Sequence, residues 1–191
     1  MNKLRFKDRS LGFTLIEALV AISILAVLLA VAVPSLNDWI LLTRLKASAA
    51  ELVTDLQLAR SESVRRNYEV VIRYRSDATQ SCYTVHLHAA VAGDCRCLDG
   101  AGVACAGGMG DVNRAELKTT SVATNRGVNM TFVPVRIQFN PPTGLPLNLT
   151  ALQANFNAGG TRQLRVVTNA TGRPQICAPA GSSVPGYAAC L

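Results

Sequence analysis

The stretch Gly12-Phe13-Thr14-Leu15-Ile16-Glu17 opens the longest apolar run in this chain of 191 residues. From Phe13 to Val33 the sequence has 21 residues, and only Thr14, Glu17 and Ser23 among them are not apolar. A helix of that length, rising about 1.5 Å per residue, spans the roughly 30 Å hydrocarbon core of a bilayer. The run therefore predicts a helix that crosses a membrane.

The residues before the apolar run are basic. Lys3, Arg5, Lys7 and Arg9 stand there against a single acid, Asp8. A basic flank of this kind stays on the cytoplasmic side of a membrane. The rest of the chain is therefore predicted to be exported.

The small residue Gly12 comes before the apolar run, whereas a secretory signal peptide is cleaved after its apolar segment. Cleavage after Gly12 would remove residues 1–12 and keep the helix. The order of glycine, phenylalanine and Thr-Leu-Ile-Glu resembles that of type IV prepilins. The resemblance implies that a prepilin peptidase cleaves between Gly12 and Phe13 and methylates the new amine of Phe13. The alternative is an ordinary membrane anchor.

Glu17 is unusual because a carboxylate inside a membrane helix costs about 2.5 kcal/mol or more. The resemblance implies that Glu17 pairs with the free amine of a neighbouring subunit's first residue during filament assembly. The alternative is that Glu17 lies near the membrane interface and has no role.

Removal of the leader takes away four basic residues and one acid, and it lowers the formal net charge from +7 to +4. The chain beyond Asn37 is long enough for one compact domain. We predict four parts, namely a leader at 1–12, a transmembrane segment at 13–36, an amphipathic helical half at 37–67, and a disulfide-stabilised antiparallel β domain at 68–191.

The amphipathic half carries small and apolar residues at alternating intervals of four and three, which predicts one buried helical face. These residues are Leu45, Ala49, Leu52, Leu56, Ala59 and Ser63. The charged residues, Asp55 among them, are predicted to lie around the rest of the helix. After Asn67 the apolar period changes to two, and strands are predicted at 68–74, 82–89, 130–139 (interrupted by Pro134), 163–168 and 175–177. The fold class is α+β, with a long N-terminal helix packed on an antiparallel sheet domain.

Six cysteines lie in the exported part, where an even number favours disulfides. Cys177 and Cys190 enclose a loop rich in Pro, Gly and Ser, and we predict that they pair. The other four cysteines are predicted to form disulfides that cross-link the region from residue 82 to residue 105: Cys82, Cys95, Cys97 and Cys105.

A metal site is the alternative for part of this region. His86 and His88 alternate onto one face of a predicted strand, and Cys95 and Cys97 follow them in the chain. However, Cys-x-Cys is poor spacing for zinc, and an oxidising compartment favours disulfides. We therefore expect no metal.

The chain from Leu52 to Asn67, and the segment Gly172-Arg173 followed by Cys177, resemble the GspH/FimT/FimU family of minor pilins and pseudopilins. The resemblance implies a minor subunit that initiates or tips a type IV pilus, or a pseudopilin of type II secretion. It implies as partners the prepilin peptidase, an inner-membrane platform protein, and other minor and major pilins. The implied location is the bacterial inner membrane, with one span and a periplasmic domain, and later the pilus or pseudopilus.

Some members of this family bind DNA in natural transformation through a Gly-Arg-x-Arg motif. This chain has Gly172-Arg173-Pro174-Gln175, so the second arginine is missing. The candidate DNA-binding residues are Arg173, Arg162 and Arg165, with Arg126 and Arg136 as supplements. The alternative is that these arginines are scattered and solvated.

Little in the sequence favours an enzyme. The run Gly107-Gly108-Met109-Gly110 follows no predicted strand and opens no predicted helix, so it is not a phosphate-binding loop. Neither histidine has a nucleophile and a carboxylate at a recognisable spacing. We expect a structural protein without a cofactor.

Overall fold

The computed structural model describes residues 14–88, 95–105, 116–147, 151–169 and 171–190, without the side chain of Pro34. The chain divides into two compact units between Trp39 and Ile40. One helix, α1 (Leu15–Arg66), supplies the described α-helical residues of both units, and two short 3-10 helices lie at Cys97–Asp99 and Thr124–Arg126.

Within the second unit, one face of α1 is fully buried. The six residues of the predicted stripe all have 0% exposure, so the prediction of a core-facing stripe is confirmed: Leu45, Ala49, Leu52, Leu56, Ala59 and Ser63. The helix ends at Arg66 because Asn67 takes the left-handed conformation that commonly terminates helices, with φ 54°. In the last turn, Glu62 accepts hydrogen bonds from Arg65 and Arg66.

Eight described strands follow, in chain order β1 (Val70–Ser76), β2 (Gln80–Leu87), β3 (Glu116–Ala123), β4 (Asn129–Val133), β5 (Arg136–Phe139), β6 (Gln153–Asn157), β7 (Gln163–Thr168) and β8 (Pro174–Cys177). They form two antiparallel sheets of four strands, in the orders β3-β2-β1-β5 and β4-β6-β7-β8. The α+β class predicted from the sequence is therefore observed.

The helix stripe and both sheets share one hydrophobic core. Alternating residues of β1 and β2 and of β4, β6 and β7 point into it, as expected for strands with one face on a core. Tyr74 of β1 stacks on Phe132 of β4, with ring centroids 4.7 Å apart, and donates a hydrogen bond to the carbonyl oxygen of Met130. The two sheets are thus joined through aromatic packing and a side-chain hydrogen bond.

The arrangement of strands differs from the sequence prediction in two respects. The run 130–139, predicted as one interrupted strand, is two strands that belong to different sheets. Strands β3 and β6 were not predicted at all. β3 contains Glu116, Lys118 and Ala123, and β6 contains Asn155 and Asn157, which are residue types depleted in strands. Packing in the folded domain overrides these weak local preferences.

Candidate functional site

The first unit presents apolar side chains to its surroundings. Every described side chain from Thr14 to Leu36 is exposed, with 79% exposure at Leu15 and 73% at Val31. By length and composition α1 contains a stretch able to cross a membrane, with a mean hydropathy of 2.8, and none of that stretch is buried. A helix that is apolar on all sides requires lipid or other helices around it.

Glu17 is the one charged residue between Thr14 and Leu36. It lies in the first turn of α1, where the partial positive charge of a helix N-terminus favours a carboxylate. Its backbone N–H donates to Oγ1 of Thr14 at 3.3 Å, so that Thr14 caps the helix. Gly12 and Phe13, the predicted positions of cleavage and methylation, lie outside the described residues.

Five polar side chains form a cluster where α1 packs on the first sheet, which we call the Asp55 cluster. Asp55 is 2% exposed; Oδ1 accepts a hydrogen bond from Nζ of Lys118 at 2.7 Å, and Oδ2 accepts one from the hydroxyl of Tyr83 at 2.7 Å. Lys118 also donates to Oε1 of Glu51 at 3.0 Å, and the hydroxyl of Thr120 lies 3.3 Å from the same oxygen. The cluster ties α1 to β2 and β3.

The protonation states of the Asp55 cluster suit this network. Burial and then the charge of Asp55 raise the pKa of Tyr83 above its usual value. Burial opposes the charge of Lys118, but hydrogen bonds to Asp55 and Glu51 outweigh burial and raise its pKa. Tyr83 is therefore a neutral donor and Lys118 a charged donor at neutral pH.

All six cysteines lie in the described residues, and each forms a disulfide. Cys177 is bonded to Cys190, which is the pairing expected from the loop that they enclose. Cys82 is bonded to Cys97, and Cys95 is bonded to Cys105. These four cysteines therefore cross-link the region from residue 82 to residue 105, as predicted from the sequence. The alternative set of His86, His88, Cys95 and Cys97 is not brought together as four ligands, because Cys97 is bonded to Cys82 and the His88 side chain is 47% exposed.

His86 lies beneath the loop of residues 95–105, which covers one face of β2. The imidazole is buried, and burial lowers the pKa of His86 to about 4. Its cross-strand partner Glu116 is fully buried; Oε1 of Glu116 accepts hydrogen bonds from the backbone N–H of Gly102 at 2.8 Å and from the Thr119 hydroxyl at 2.7 Å. Glu116 thus holds the loop on the sheet.

The candidate DNA-binding arginines are spread over the domain. Arg162 precedes β7, Arg165 lies within it, and Arg173 precedes β8, whose first residue pairs with the last residue of β7. Arg162 and Arg173 are therefore at opposite ends of a six-residue strand, about 20 Å apart at roughly 3.3 Å per residue. Arg126 follows β3, and Arg136 lies on β5 in the other sheet. The structure does not gather them into one cluster, and DNA binding stays an untested prediction.

Sequence reasoning missed the burial of Asp55 and Glu116. Asp55 was predicted on the polar side of α1, and this was wrong. Its position offered one signal, since it lies three residues after Leu52 and four before Ala59, both in the buried stripe. The partner Lys118 lies on β3, a strand that was not predicted. The spacing of apolar residues in the sequence therefore gave no indication of the ion pair between Lys118 and Asp55.

Two family models match the sequence. The one described as type II transport protein GspH matches residues 48–172, and the prokaryotic N-terminal methylation motif matches residues 7–33. No curated protein matches the chain.

Two crystal forms of the type IV minor pilin FimU from Pseudomonas aeruginosa are similar in structure. The first is 19% identical, covers 70% of this chain and 88% of its own, and has a TM-score of 0.49. The second is 18% identical, covers 69% of this chain and 90% of its own, and also has a TM-score of 0.49.

Proposed function

The chain belongs to the GspH family of type IV pilin-like proteins, and from this premise we propose that it is a minor pilin that initiates or tips the assembly of a type IV pilus. In this proposal the prepilin peptidase removes residues 1–12 and methylates Phe13. The match of the methylation motif to residues 7–33 supports that processing.

The observation that supports assembly into a filament, of a pilus or of a pseudopilus, is the exposure of the apolar segment of α1. Side chains such as Ile16, Ile22 and Leu28 are more than 60% exposed in the isolated chain. Each large apolar side chain contributes about 1.5–3 kcal/mol when it leaves water, so this segment must be covered by lipid or by other helices. A subunit that moves from the membrane into a helical bundle satisfies this requirement at both stages.

The second unit has a different part in the proposal. Its disulfides and shared core make a domain that is presented at the surface of the filament, on the periplasmic side of the inner membrane before assembly. The other minor and major pilins, the prepilin peptidase and the inner-membrane platform protein are the proposed partners.

Mass spectrometry of the native protein tests the processing step. We expect the chain in membranes and in sheared filaments to lack residues 1–12 and to carry one additional methyl group on Phe13. A Gly12→Val variant should keep its leader and stay out of filaments. A wild-type chain in the filament fraction with an uncut terminus, or one lacking residues 13–33, would contradict the proposal.

A pseudopilin of type II secretion is the second candidate, and the description of the matching family favours it. Both kinds of filament require the same apolar helix, so the structure of α1 does not separate them. Deletion of the gene separates the two candidates. Loss of surface pili with normal protein secretion supports the pilus, whereas loss of secretion with normal pili supports the pseudopilus.

A further inference from the structure

Strand β3 is an edge of the first sheet, and half of its backbone groups point away from the sheet. Just beyond the strand, the backbone N–H of Thr124 donates to the carbonyl oxygen of Thr79 at 2.8 Å. In an antiparallel pair, residues that bond to the partner strand alternate with residues that do not. Continued along the register with β2, this alternation makes the even-numbered residues of β3 from 118 to 122 bond to β2. The residues between and after them direct their N–H and C=O groups outward: Thr119, Ser121 and Ala123.

These outward backbone groups have no hydrogen-bond partner among the described residues. The opposite edge of the same sheet differs, because the chain itself covers β5 there: the N–H of Leu147 donates to the carbonyl oxygen of Gln138 at 2.8 Å. Ser121 is exposed, and the rest of β3 after Glu116 is half-buried. An accessible edge strand is a template for pairing with another chain.

Strand β3 lacks the features with which proteins usually block an open edge. Such edges carry proline, or charged side chains that keep other strands away. β3 contains no proline, and its two charged side chains are engaged within the domain. Lys118 belongs to the Asp55 cluster, and Glu116 is fully buried. The outer edge from Thr119 onward is therefore free to pair.

A groove of about 210 Å³ lies between this part of β3 and α1, and two arginines line it. Nη1 of Arg44 donates to the carbonyl oxygen of Arg126 at 3.3 Å. The guanidinium of Arg126 has no acidic partner in the part of the chain that the structure describes. Glu51 also lines the groove, but its Oε1 already accepts a hydrogen bond from Lys118. Charge complementarity therefore favours a carboxylate beside Arg126.

We propose that β3 pairs with an extended segment of a neighbouring pilin, which adds to the first sheet as a further strand and places a carboxylate beside Arg126. The inference rests on the proposed function, because it takes the partner from the same filament. A strand satisfies the N–H and C=O groups of Thr119 and Ser121 together, and side chains on alternate positions of that strand give specificity. A second copy of β3 would bring no carboxylate, because Glu116, its acid, is buried and bound within its own domain.

Ser121→Pro in the full chain tests the backbone pairing. Proline has no N–H, and the N–H of Ser121 does not bond to β2, so the edge strand should tolerate the change. We expect a urea midpoint in detergent close to that of the wild type, normal removal of the leader, and about three- to tenfold less of the chain in sheared filaments. Ser121→Ala is the matched control: it keeps the N–H and should enter filaments like the wild type.

Arg126→Ala tests the charge of the groove. It should lower the amount of the chain in filaments by up to about fivefold, because an ion pair at the rim of an interface contributes little. Arg173→Ala is the matched control, since Arg173 is also exposed but precedes β8 in the other sheet. Equal effects of the two arginine variants would contradict a carboxylate beside Arg126.

Hydrogen exchange of the wild type needs no variant, and it decides the case if Ser121→Pro does not fold. The amides of Thr119 and Ser121 should exchange freely in the purified chain in detergent and be slowed by more than about tenfold in filaments.

The proposal is overturned if β3 exchanges equally in both states, or if a folded Ser121→Pro chain enters filaments like the wild type; in either case the chain is still a filament subunit. Protection that appears in the purified chain as its concentration rises would show that a second copy, not another pilin, occupies the edge. A wild-type chain absent from both pilus and pseudopilus would overturn the proposed function as well.

Discussion

At the scale of single residues, Asp55 shows how a charge can be buried at a helix–sheet contact. Its two carboxylate oxygens accept hydrogen bonds from Nζ of Lys118 and from the hydroxyl of Tyr83, each at 2.7 Å. Removing one member of a buried, charge-assisted network leaves the others without partners, and this costs more than the pair itself contributes. Asp55 is therefore more sensitive to substitution than an exposed charged residue of the helix.

We predict that Asp55→Asn lowers the free energy of unfolding by about 2 kcal/mol, because Lys118 and Tyr83 lose a charged acceptor. The measurement is the midpoint of urea unfolding of the oxidised chain in detergent. Glu51→Gln is the matched control, since the Glu51 side chain is 43% exposed and its pair with Lys118 should contribute less than about 1 kcal/mol. Equal losses in the two variants would show that burial of Asp55 does not matter.

His86 gives a prediction for the dependence of stability on pH. Its pKa falls from 6.5 to about 4 on folding because burial disfavours the charged ring. Between these values the unfolded chain binds a proton that the folded chain does not, so stability falls as the pH falls from 6.5 to 4, by up to about 3 kcal/mol. Above pH 6.5 the contribution is constant.

Urea unfolding of the oxidised chain across this pH range measures the effect. His86→Gln should remove this part of the pH dependence, while the background from carboxylates remains. His88→Gln, at an exposed position, should behave like the wild type. A His86→Gln chain with the wild-type slope would mean that the folded protein protonates His86 without strain.

At the scale of elements, the sequence predicted the structure correctly where a single spacing of apolar residues dominated. The stripe from Leu45 to Ser63 repeats with the period of a helix, and all six of its members are buried. The pattern failed for β3, whereas in β6 the period-two alternation of Leu152, Ala154 and Phe156 is present in the sequence and was overlooked. In β6, Ala154 and Phe156 are buried between residues of low strand preference.

Gly144 lies in the turn after β5, at the point where this turn packs against the end of α1. It has a φ of 62°, and a Cβ there would lie 2.9 Å from Cγ of Arg60 and 3.1 Å from Cγ2 of Val64. Gly144→Ala would therefore combine a left-handed backbone with a steric clash against the helix. We expect a loss of about 2–3 kcal/mol in urea unfolding.

Gly160→Ala separates the two effects. Gly160 has a similar φ of 55°, but a Cβ there meets no atom within 4 Å. Its substitution should cost only the backbone term, about 1–2 kcal/mol. If both variants lose the same stability, the close packing of the turn on Arg60 and Val64 contributes nothing.

At the scale of the whole molecule, the apolar run and its glutamate could be recognised from the sequence because membrane length and a lone charge are local properties. The contacts that the 95–105 loop makes in the second unit could not. The pairing of Cys82 with Cys97, and the meeting of His86 with Cys95 and Cys105, depend on how the 95–105 loop folds over β2. No periodicity in the chain encodes that contact.

Substitution of Glu17 tests whether a carboxylate in the membrane segment is needed for filament assembly. It is the one charged residue between Thr14 and Leu36, and a carboxylate in that segment disfavours the bilayer by about 2.5–3.5 kcal/mol. Glu17→Ala therefore makes insertion easier, so a defect in this variant cannot arise from poor insertion. We expect the variant to be inserted and cleaved normally but to be lost from filaments, because no carboxylate remains to pair with the amine of a neighbouring subunit.

The measurement is the amount of the processed N-terminal peptide in membranes and in sheared filaments, determined by mass spectrometry. Ser23→Ala is the matched control, since Ser23 is exposed on the same segment and its hydroxyl only donates to the carbonyl oxygen of Val20 at 2.8 Å. The control should enter filaments like the wild type. If Glu17→Ala does so too, the carboxylate has no part in assembly, and the exposed apolar surface of α1 is sufficient to hold the subunit in the bundle.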